Sequence, residues 1–267
     1  MISRIILYIA IGFVFLFGYI KFLEQKSVFF PNKIVKVNPE ILHMPFEDVY
    51  FGTKDNLKIN GWFIPTEGSK YTILYFHGNA GNLADRLEKI ELLKKIGLNI
   101  FIIDYRGFGK SQGRPTEKGV YLDADAAYDY LIKDRKIGPD QIVLFGESIG
   151  SAVAIELASK VKVRGMILEG AFSKAKDMVN KIYPLLPAFL FSNMYDSLSK
   201  IKNISCPKLF IHSKNDEIVP FKLAQKLFYA AKEPKKLIEV SGEHNDVFWA
   251  SQDEFISSIT EFIKELK

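Results

Sequence analysis

Cysteine, histidine and long tracts of like charge are all scarce in this chain, and each scarcity excludes a class of function. A single cysteine, Cys206, excludes an internal disulfide framework and any metal site built from several cysteines. The 36 Lys and Arg and 31 Asp and Glu residues are spread along the 267 positions without a basic tract or zinc-finger spacing, so we expect no nucleic-acid binding. Because the carboxylates and the four histidines nowhere take up the spacing of metal ligands, we predict no metal and no cofactor.

One segment near the N-terminus carries no charge at all. Residues 5–20, IILYIAIGFVFLFGYI, would cover about 24 Å as a helix, so flanking residues have to help span the roughly 30 Å of a bilayer's hydrocarbon. Arg4 before an apolar run is also typical of a cleaved signal peptide, but the following residues lack a small-x-small cleavage site. We therefore predict a single-pass membrane anchor over residues 1–23, and the side of the membrane stays open.

The rest of the chain alternates between two hydrophobic patterns. After a juxtamembrane linker, predicted over residues 24–45, short β-branched runs are separated by segments of helical periodicity. Strands that alternate with helices predict a mostly parallel, doubly wound sheet with helices on both faces, and 48% hydrophobic residues suffice for its core. The predicted strands are LKINGWFI, YTILYF, LNIFIID, QIVLFG, GMILEG, KLFIHS and KKLIEV, and the predicted helices span residues 84–96, 123–133, 148–160, 222–231 and 254–267.

One connection is too long for this alternation. About 38 residues separate the strand that ends at Glu169 from the strand that begins at Lys208, and they include an apolar, aromatic stretch that contains Pro184 and Pro187. A connection of that length usually has a function of its own. We predict a short inserted helical cap over about residues 171–205, in which residues 183–194 either line an acyl pocket or only pack the cap on the sheet.

A polar pair stands between two glycines where a predicted strand ends and a predicted helix begins. Residues 146–150, GESIG, fit the G-x-S-x-G turn, in which side chains at the glycine positions would collide with the neighbouring strand and helix. Such a turn exposes a serine hydroxyl above the sheet. Ser148 is therefore the candidate nucleophile.

A serine hydroxyl needs a base to take its proton and an acid to orient that base. Among the four histidines, His244 follows the last predicted strand in a polar, glycine-containing loop, from which it can reach a serine above the sheet. His43 lies in the linker, His212 ends a strand, and His77 opens a loop that it would brace. We interpret these three as structural, which leaves His244 as the candidate base.

The candidate acid is Asp216, which follows the preceding strand in the segment HSKNDEIVP. It gives the chain order serine, acid, histidine that accompanies this kind of turn. Glu217, Asp246 and Glu169 stay as alternatives.

The tetrahedral intermediate of acyl transfer needs backbone N–H donors for its oxyanion, and each is worth about 3 to 4 kcal/mol. The turn supplies the N–H of Ile149. The loop HGNAGN, which follows the strand YTILYF, should supply the second donor, with Asn79 as the candidate and Ala80 as the next choice.

Six segments together resemble the α/β-hydrolase superfamily, namely HGNAGN, DYRGFGKSQG, GESIGS, LEGAF, HSKNDEIVPF and GEHND. The likeness runs from about Phe46 to the C-terminus and is greatest to a membrane-anchored single-domain branch related to serine aminopeptidases, monoacylglycerol lipases and protein depalmitoylases. Ser213 departs from the glycine that many members have after the strand-end histidine, without affecting the triad. The resemblance implies an α/β-hydrolase fold over residues 46–267, with nucleophile Ser148, acid Asp216, base His244, and oxyanion donors Asn79 and Ile149.

These features predict a membrane-tethered serine hydrolase that cleaves carboxylic ester or thioester bonds through an acyl-enzyme on Ser148. We expect a small-molecule or lipid-like ester with an apolar acyl part, because the aromatic cap stretch and the anchor both favour lipid. A serine peptidase or aminopeptidase of the same fold is one alternative, and a non-catalytic, membrane-bound interaction protein is another. The bond type, the mobility of the cap and the oligomeric state stay open.

Overall fold

An eight-stranded sheet forms the centre of the computed structural model, which describes residues 2–26, 28–182 and 194–266. The strands along the described chain are β1 (Phe30–Pro31), β2 (Glu47–Gly52), β3 (Lys58–Ile64), β4 (Thr72–Phe76), β5 (Ala80–Gly81), β6 (Asn99–Ile103), β7 (Ile142–Glu147), β8 (Gly165–Glu169), β9 (Lys208–Ser213) and β10 (Lys235–Val240). The order across the main sheet is β2-β3-β6-β4-β7-β8-β9-β10, with β2–β3 and β3–β6 antiparallel and the five other pairs parallel. The prediction of a mostly parallel sheet is confirmed, and every predicted strand is present.

Helices cover both faces of this sheet. They are α1 (Ile2–Lys26), α2 (Leu87–Lys95), α3 (Glu117–Lys133), α4 (Ile149–Ala158), α5 (Ala175–Ile182), α6 (Ser197–Ile201), α7 (Phe221–Ala230), α8 (Val247–Ala250) and α9 (Gln252–Glu265), with short 3-10 helices at Pro39–Leu42, Leu83–Arg86 and Pro139–Gln141. One core cluster includes residues of α3, α4, α6 and α7, and the other includes residues of α2, α8 and α9. The central strands are buried on both faces, which explains their unbroken apolar runs.

Two predicted helix starts differ from the structure. The helix expected from residue 123 begins at Glu117, because the side chain of Thr116 accepts a hydrogen bond from the N–H of Gly119 and caps an earlier turn. The helix expected from residue 84 begins as a 3-10 turn that is capped by Asn82, and α2 follows it.

The N-terminal helix α1 carries large apolar side chains that are exposed. Val14 is 69% exposed and Phe15 is 74% exposed. Among the residues that the structure describes, no helix is both long enough and apolar enough to cross a membrane. The structure therefore does not support the predicted transmembrane anchor, which stays a prediction.

The residues that follow α1 are bound to the body of the protein. Strand β1 pairs in parallel with β5, and the side chain of Phe29 is buried. Part of the predicted linker therefore packs on the loop after β4. The domain boundaries at residues 23 and 45 stay predictions.

The predicted cap is described only in part. Helices α5 and α6 lie between β8 and β9, and α6 contacts α4 and α7. Residues 183–193, which include Phe189 and Phe191, lie outside the described residues. The predicted acyl-binding role of this stretch stays a prediction.

Candidate active site

The nucleophile candidate stands at a sharp turn between β7 and α4. Ser148 has φ 54° and ψ −117°, a conformation that a non-glycine residue adopts only at an energetic cost. Its N–H donates to the carbonyl of Glu169, 2.8 Å away. A Cβ atom at Gly150 would lie 2.0 Å from the carbonyl oxygen of Phe76, and one at Gly146 would lie 2.5 Å from backbone atoms of α4. The predicted reason for both glycines, close packing of helix on strand, is confirmed.

The structure brings three predicted site residues into one hydrogen-bonded chain. The Nε2 atom of His244 lies 3.0 Å from the Ser148 hydroxyl, and its Nδ1 lies 2.7 Å from Oδ2 of Asp216. The other carboxylate oxygen of Asp216 accepts the N–H groups of Ile218 and Val219, which fix its orientation. Such a chain can pass a proton from the serine to the histidine and hold the resulting imidazolium.

The pKa values of His244 and Asp216 are shifted more by their mutual charge interaction than by burial. Burial alone would lower the pKa of His244, but its contact with the Asp216 carboxylate raises the pKa above the ordinary histidine value. Burial would likewise raise the pKa of Asp216, but His244 lowers it. Asp216 therefore stays ionised at neutral pH, while His244 becomes a stronger base.

The alternative acids have other contacts. Glu217 accepts the backbone N–H of His244 rather than a ring N–H, and Glu169 binds a lysine. The backbone N–H of Asp246 donates to the carbonyl of Glu243 at the turn before α8. The carboxylate that reaches the imidazole is that of Asp216.

The three other histidines lie where structural, non-catalytic roles would place them. His77 is fully buried, with Nδ1 2.7 Å from the carbonyl of Gly78. His212 is buried behind Asp216 and donates to the carbonyl of Val219, and burial lowers its pKa. His43 is exposed at the end of a 3-10 helix.

The two predicted oxyanion donors lie on neighbouring segments. Asn79 belongs to the loop after β4, and Ile149 begins α4, whose Gly150 packs directly on the end of β4. The side-chain amide of Asn79 donates to the carbonyl of Val28. Within the described part of the chain, the backbone N–H groups of Asn79 and Ile149 have no acceptor, so both remain able to bind an oxyanion.

A buried ionic cluster beside the nucleophile was not predicted from the sequence. The ammonium of Lys89 lies 2.8 Å from Glu169 and 3.2 Å from Glu147, and the guanidinium of Arg86 lies 3.1 Å from Glu147. Burial would raise the pKa of Glu147, yet the two cations hold it below its usual range, whereas burial keeps the pKa of Glu169 raised. Lys89 is buried on α2 together with Leu87, Ile90 and Leu93. A lysine among the apolar positions of a predicted helix was therefore the sequence signal that could have indicated a buried ion pair.

A cavity of about 230 Å³ opens beside Ser148. Its walls include the ionic cluster, His244 and the aromatic side chains of Phe248 and Trp249. The described wall is thus largely charged, with two aromatic side chains. No group of His, Cys, Asp and Glu within the described residues could hold a metal ion.

Known proteins are similar to this chain over most of its length. Residues 71–191 match the model of a family described as alpha/beta hydrolase fold. Protein bem46 of Schizosaccharomyces pombe is 33% identical, with 99% of this chain and 92% of the relative covered. The alpha/beta hydrolase domain-containing protein WAV2 of Arabidopsis thaliana is 32% identical, with 87% of each covered. Among solved structures, the Pyrococcus furiosus esterase Pf2001 has a TM-score of 0.76 and 25% identity, with 89% of this chain and 98% of that chain covered.

Proposed function

Because this chain belongs to the α/β hydrolase family, we propose that it is a serine hydrolase that cleaves carboxylic ester or thioester bonds. The observation that carries the proposal is the hydrogen-bonded chain from Ser148 through His244 to Asp216, at a strained turn beside a cavity. The structural likeness to an esterase supports the choice of bond.

The proposed reaction has two steps with the same proton path. The Ser148 hydroxyl attacks the carbonyl carbon while Nε2 of His244 takes its proton, and Asp216 stabilises the imidazolium. The N–H groups of Asn79 and Ile149 stabilise the oxyanion. Collapse of the intermediate breaks the ester bond, and the leaving alcohol or thiol receives the proton from His244. Water then attacks the acyl-enzyme by the same route and releases the acid.

We propose a lipophilic acyl group as the preferred substrate part. The support is the apolar sequence of residues 183–194. The described wall of the cavity is largely charged and is therefore a poor binding surface for an apolar acyl group. We therefore assign the proposed acyl pocket to this apolar stretch. The charged wall would then face the polar remainder of the substrate or the entering water.

A fluorophosphonate probe tests the chemistry. The wild-type chain should be labelled at one serine, Ser148→Ala should abolish labelling, and Ser159→Ala, an exposed serine at the end of the same helix, should leave it unchanged. Labelling that persists in Ser148→Ala, or its absence in folded wild type, would contradict the proposal and favour a non-catalytic interaction protein. Efficient cleavage of aminoacyl amides with little cleavage of esters would favour the peptidase.

We also propose that α1 tethers the protein to a membrane. The support is the uncharged run of residues 5–20 and the exposed apolar side chains of this helix. The full chain should remain with the membrane fraction through a carbonate wash. Recovery of a mature chain that begins after residue 20 would instead identify a signal peptide.

A further inference from the structure

The loop that carries the predicted oxyanion donor has little regular structure of its own. It contains Gly78 and Gly81, and Gly81 has φ +76°. Glycines widen the range of backbone conformations, so holding such a loop in one conformation costs conformational entropy. Some other segment has to fix its backbone if Asn79 is to bind an oxyanion with constant geometry.

The hydrogen bonds that hold Asn79 in this loop come from the residues directly after α1, while Tyr105 binds the carbonyl of His77. We call residues 28–32 the N-terminal strap. The N–H of Phe30 donates to the carbonyl of Asn79 at 2.9 Å, and the N–H of Asn32 donates to the carbonyl of Gly81 at 2.8 Å. The side-chain amide of Asn79 donates to the carbonyl of Val28 at 2.8 Å. Two of these three bonds involve Asn79 itself.

These bonds orient both candidate donors. The carbonyl of Asn79 and the N–H of Ala80 belong to one planar peptide unit, so the bond from Phe30 fixes the direction of the Ala80 N–H. With its carbonyl and its side chain both held, Asn79 has little freedom to rotate its own N–H. The strap therefore restricts the direction of the N–H group whether Asn79 or Ala80 binds the oxyanion.

A buried aromatic side chain anchors the strap. The ring of Phe29 lies 6.1 Å from Phe108 and 6.5 Å from Tyr195, edge to face in both cases. Phe108 in turn contacts the ring of His77, the first residue of the oxyanion loop. Tyr195 lies within the predicted cap, close to the start of α6.

We propose that the N-terminal strap is a positioning element of the oxyanion hole. Its backbone hydrogen bonds hold the loop of Asn79 in the conformation that the transition state requires. This inference rests on the proposed serine hydrolase function. It also means that the segment joining α1 to the body of the protein contributes to catalysis and does not act only as a linker.

One substitution in the full-length chain removes a single bond of the strap. The side chain of Phe30 is 57% exposed, so Phe30→Ala should change little, whereas Phe30→Pro removes the N–H that binds Asn79. Loss of a whole oxyanion donor costs about 100- to 1000-fold in kcat, so a misplaced donor should cost roughly 10- to 100-fold. We expect that loss in kcat for Phe30→Pro relative to Phe30→Ala, with KM for a short ester changed by less than about twofold.

A second readout separates positioning from general damage. A trifluoromethyl ketone forms a tetrahedral adduct with the serine, so its inhibition constant should rise by about the same factor as kcat falls. Thermal unfolding should show both variants folded. Equal kcat and equal inhibition constants in the two folded variants would overturn the inference.

A second substitution tests the role of the strap if Phe30→Pro does not fold. Asn79→Ala keeps the backbone N–H but removes the bond to Val28, and it should lower kcat and weaken ketone binding in parallel. An Asn79→Ala enzyme with wild-type kcat would overturn the inference. Absence of probe labelling at Ser148 in the wild type would instead refute the proposed function, and this inference with it.

Discussion

Replacing Lys89 with methionine should strongly destabilise the protein. The ammonium of Lys89 lies 2.8 and 2.9 Å from the two carboxylate oxygens of Glu169, and its side chain is only 10% exposed. Without it Glu169 is a buried carboxylate that forms no ion pair with another lysine or arginine of the described residues, while Glu147 keeps Arg86. Removing one partner of a buried ion pair costs about 3 to 5 kcal/mol. For a chain of this size, the loss corresponds to a fall in Tm of roughly 6 to 20 °C.

The sign of the pH dependence follows from the pKa of Glu169. Burial already raises this pKa above its ordinary value, and loss of Lys89 should raise it further. Between the unfolded-state pKa and the raised folded-state pKa, the native state binds more protons than the unfolded state, so the free energy of unfolding falls as pH rises. The difference in Tm between Lys89→Met and wild type should therefore be smaller near pH 5 than near pH 8.

Thermal unfolding of four variants tests this reasoning. Lys95→Met removes an exposed lysine from the same helix and should cost no more than about 0.5 kcal/mol. Adding Glu169→Gln to Lys89→Met removes the uncompensated charge and should restore much of the lost Tm, whereas Glu169→Gln alone should not raise Tm comparably. The reasoning is refuted if Lys89→Met unfolds like Lys95→Met, or if Glu169→Gln brings no recovery.

Three further predictions concern the chemistry. Asp216→Asn should lower kcat by about 10⁴-fold near pH 7, because the imidazole loses its charged partner. In the wild type, kcat/KM should rise with pH through a pKa above the ordinary histidine value, and a pH profile with a midpoint below that value would contradict the role of Asp216. Lengthening the acyl chain should raise kcat/KM by up to about fourfold per methylene until the pocket is full, and Phe189→Ala with Phe191→Ala should flatten that series while sparing acetate esters. A flat series in the wild type would contradict a lipophilic acyl pocket, and equal loss of all activities and of Tm in the double variant would assign those side chains to packing.

The central sheet could be predicted from hydrophobic periodicity, and the candidate triad from the positions of its residues directly after strands. Parallel strands end at the same edge of a sheet, so the polar residues that follow successive strands meet there. Ser148, Asp216 and His244 each follow such a strand, and the glycines around Ser148 mark the turn. The distances between their side chains came only from the structure.

Other features depend on contacts that hydrophobic periodicity does not encode. Strand β1 is two residues long, which is too short for any period, and its partner β5 lies about 50 residues further along the chain. The partners of Lys89 stand 58 and 80 residues away. The early start of α3 depends on a single capping side chain, that of Thr116. For β1 and Lys89, tertiary packing selects a partner that is distant along the chain. The Thr116 cap is instead a local contact with Gly119, three residues further on, and hydrophobic periodicity does not report it.

The order of strands across the sheet gives two residues of the candidate triad, Ser148 and His244, unequal local stability. His244 follows β10, which is at the edge of the sheet and has β9 as its one neighbour among the described strands, whereas Ser148 follows β7, which has a strand on each side. Local opening of a protein requires less free energy where fewer contacts have to be broken. We therefore expect the edge strand to detach in a brief sub-global opening that carries the candidate base away from an otherwise folded core. Under mild denaturant, catalysis should stop while most backbone amides of the central strands are still protected from hydrogen exchange.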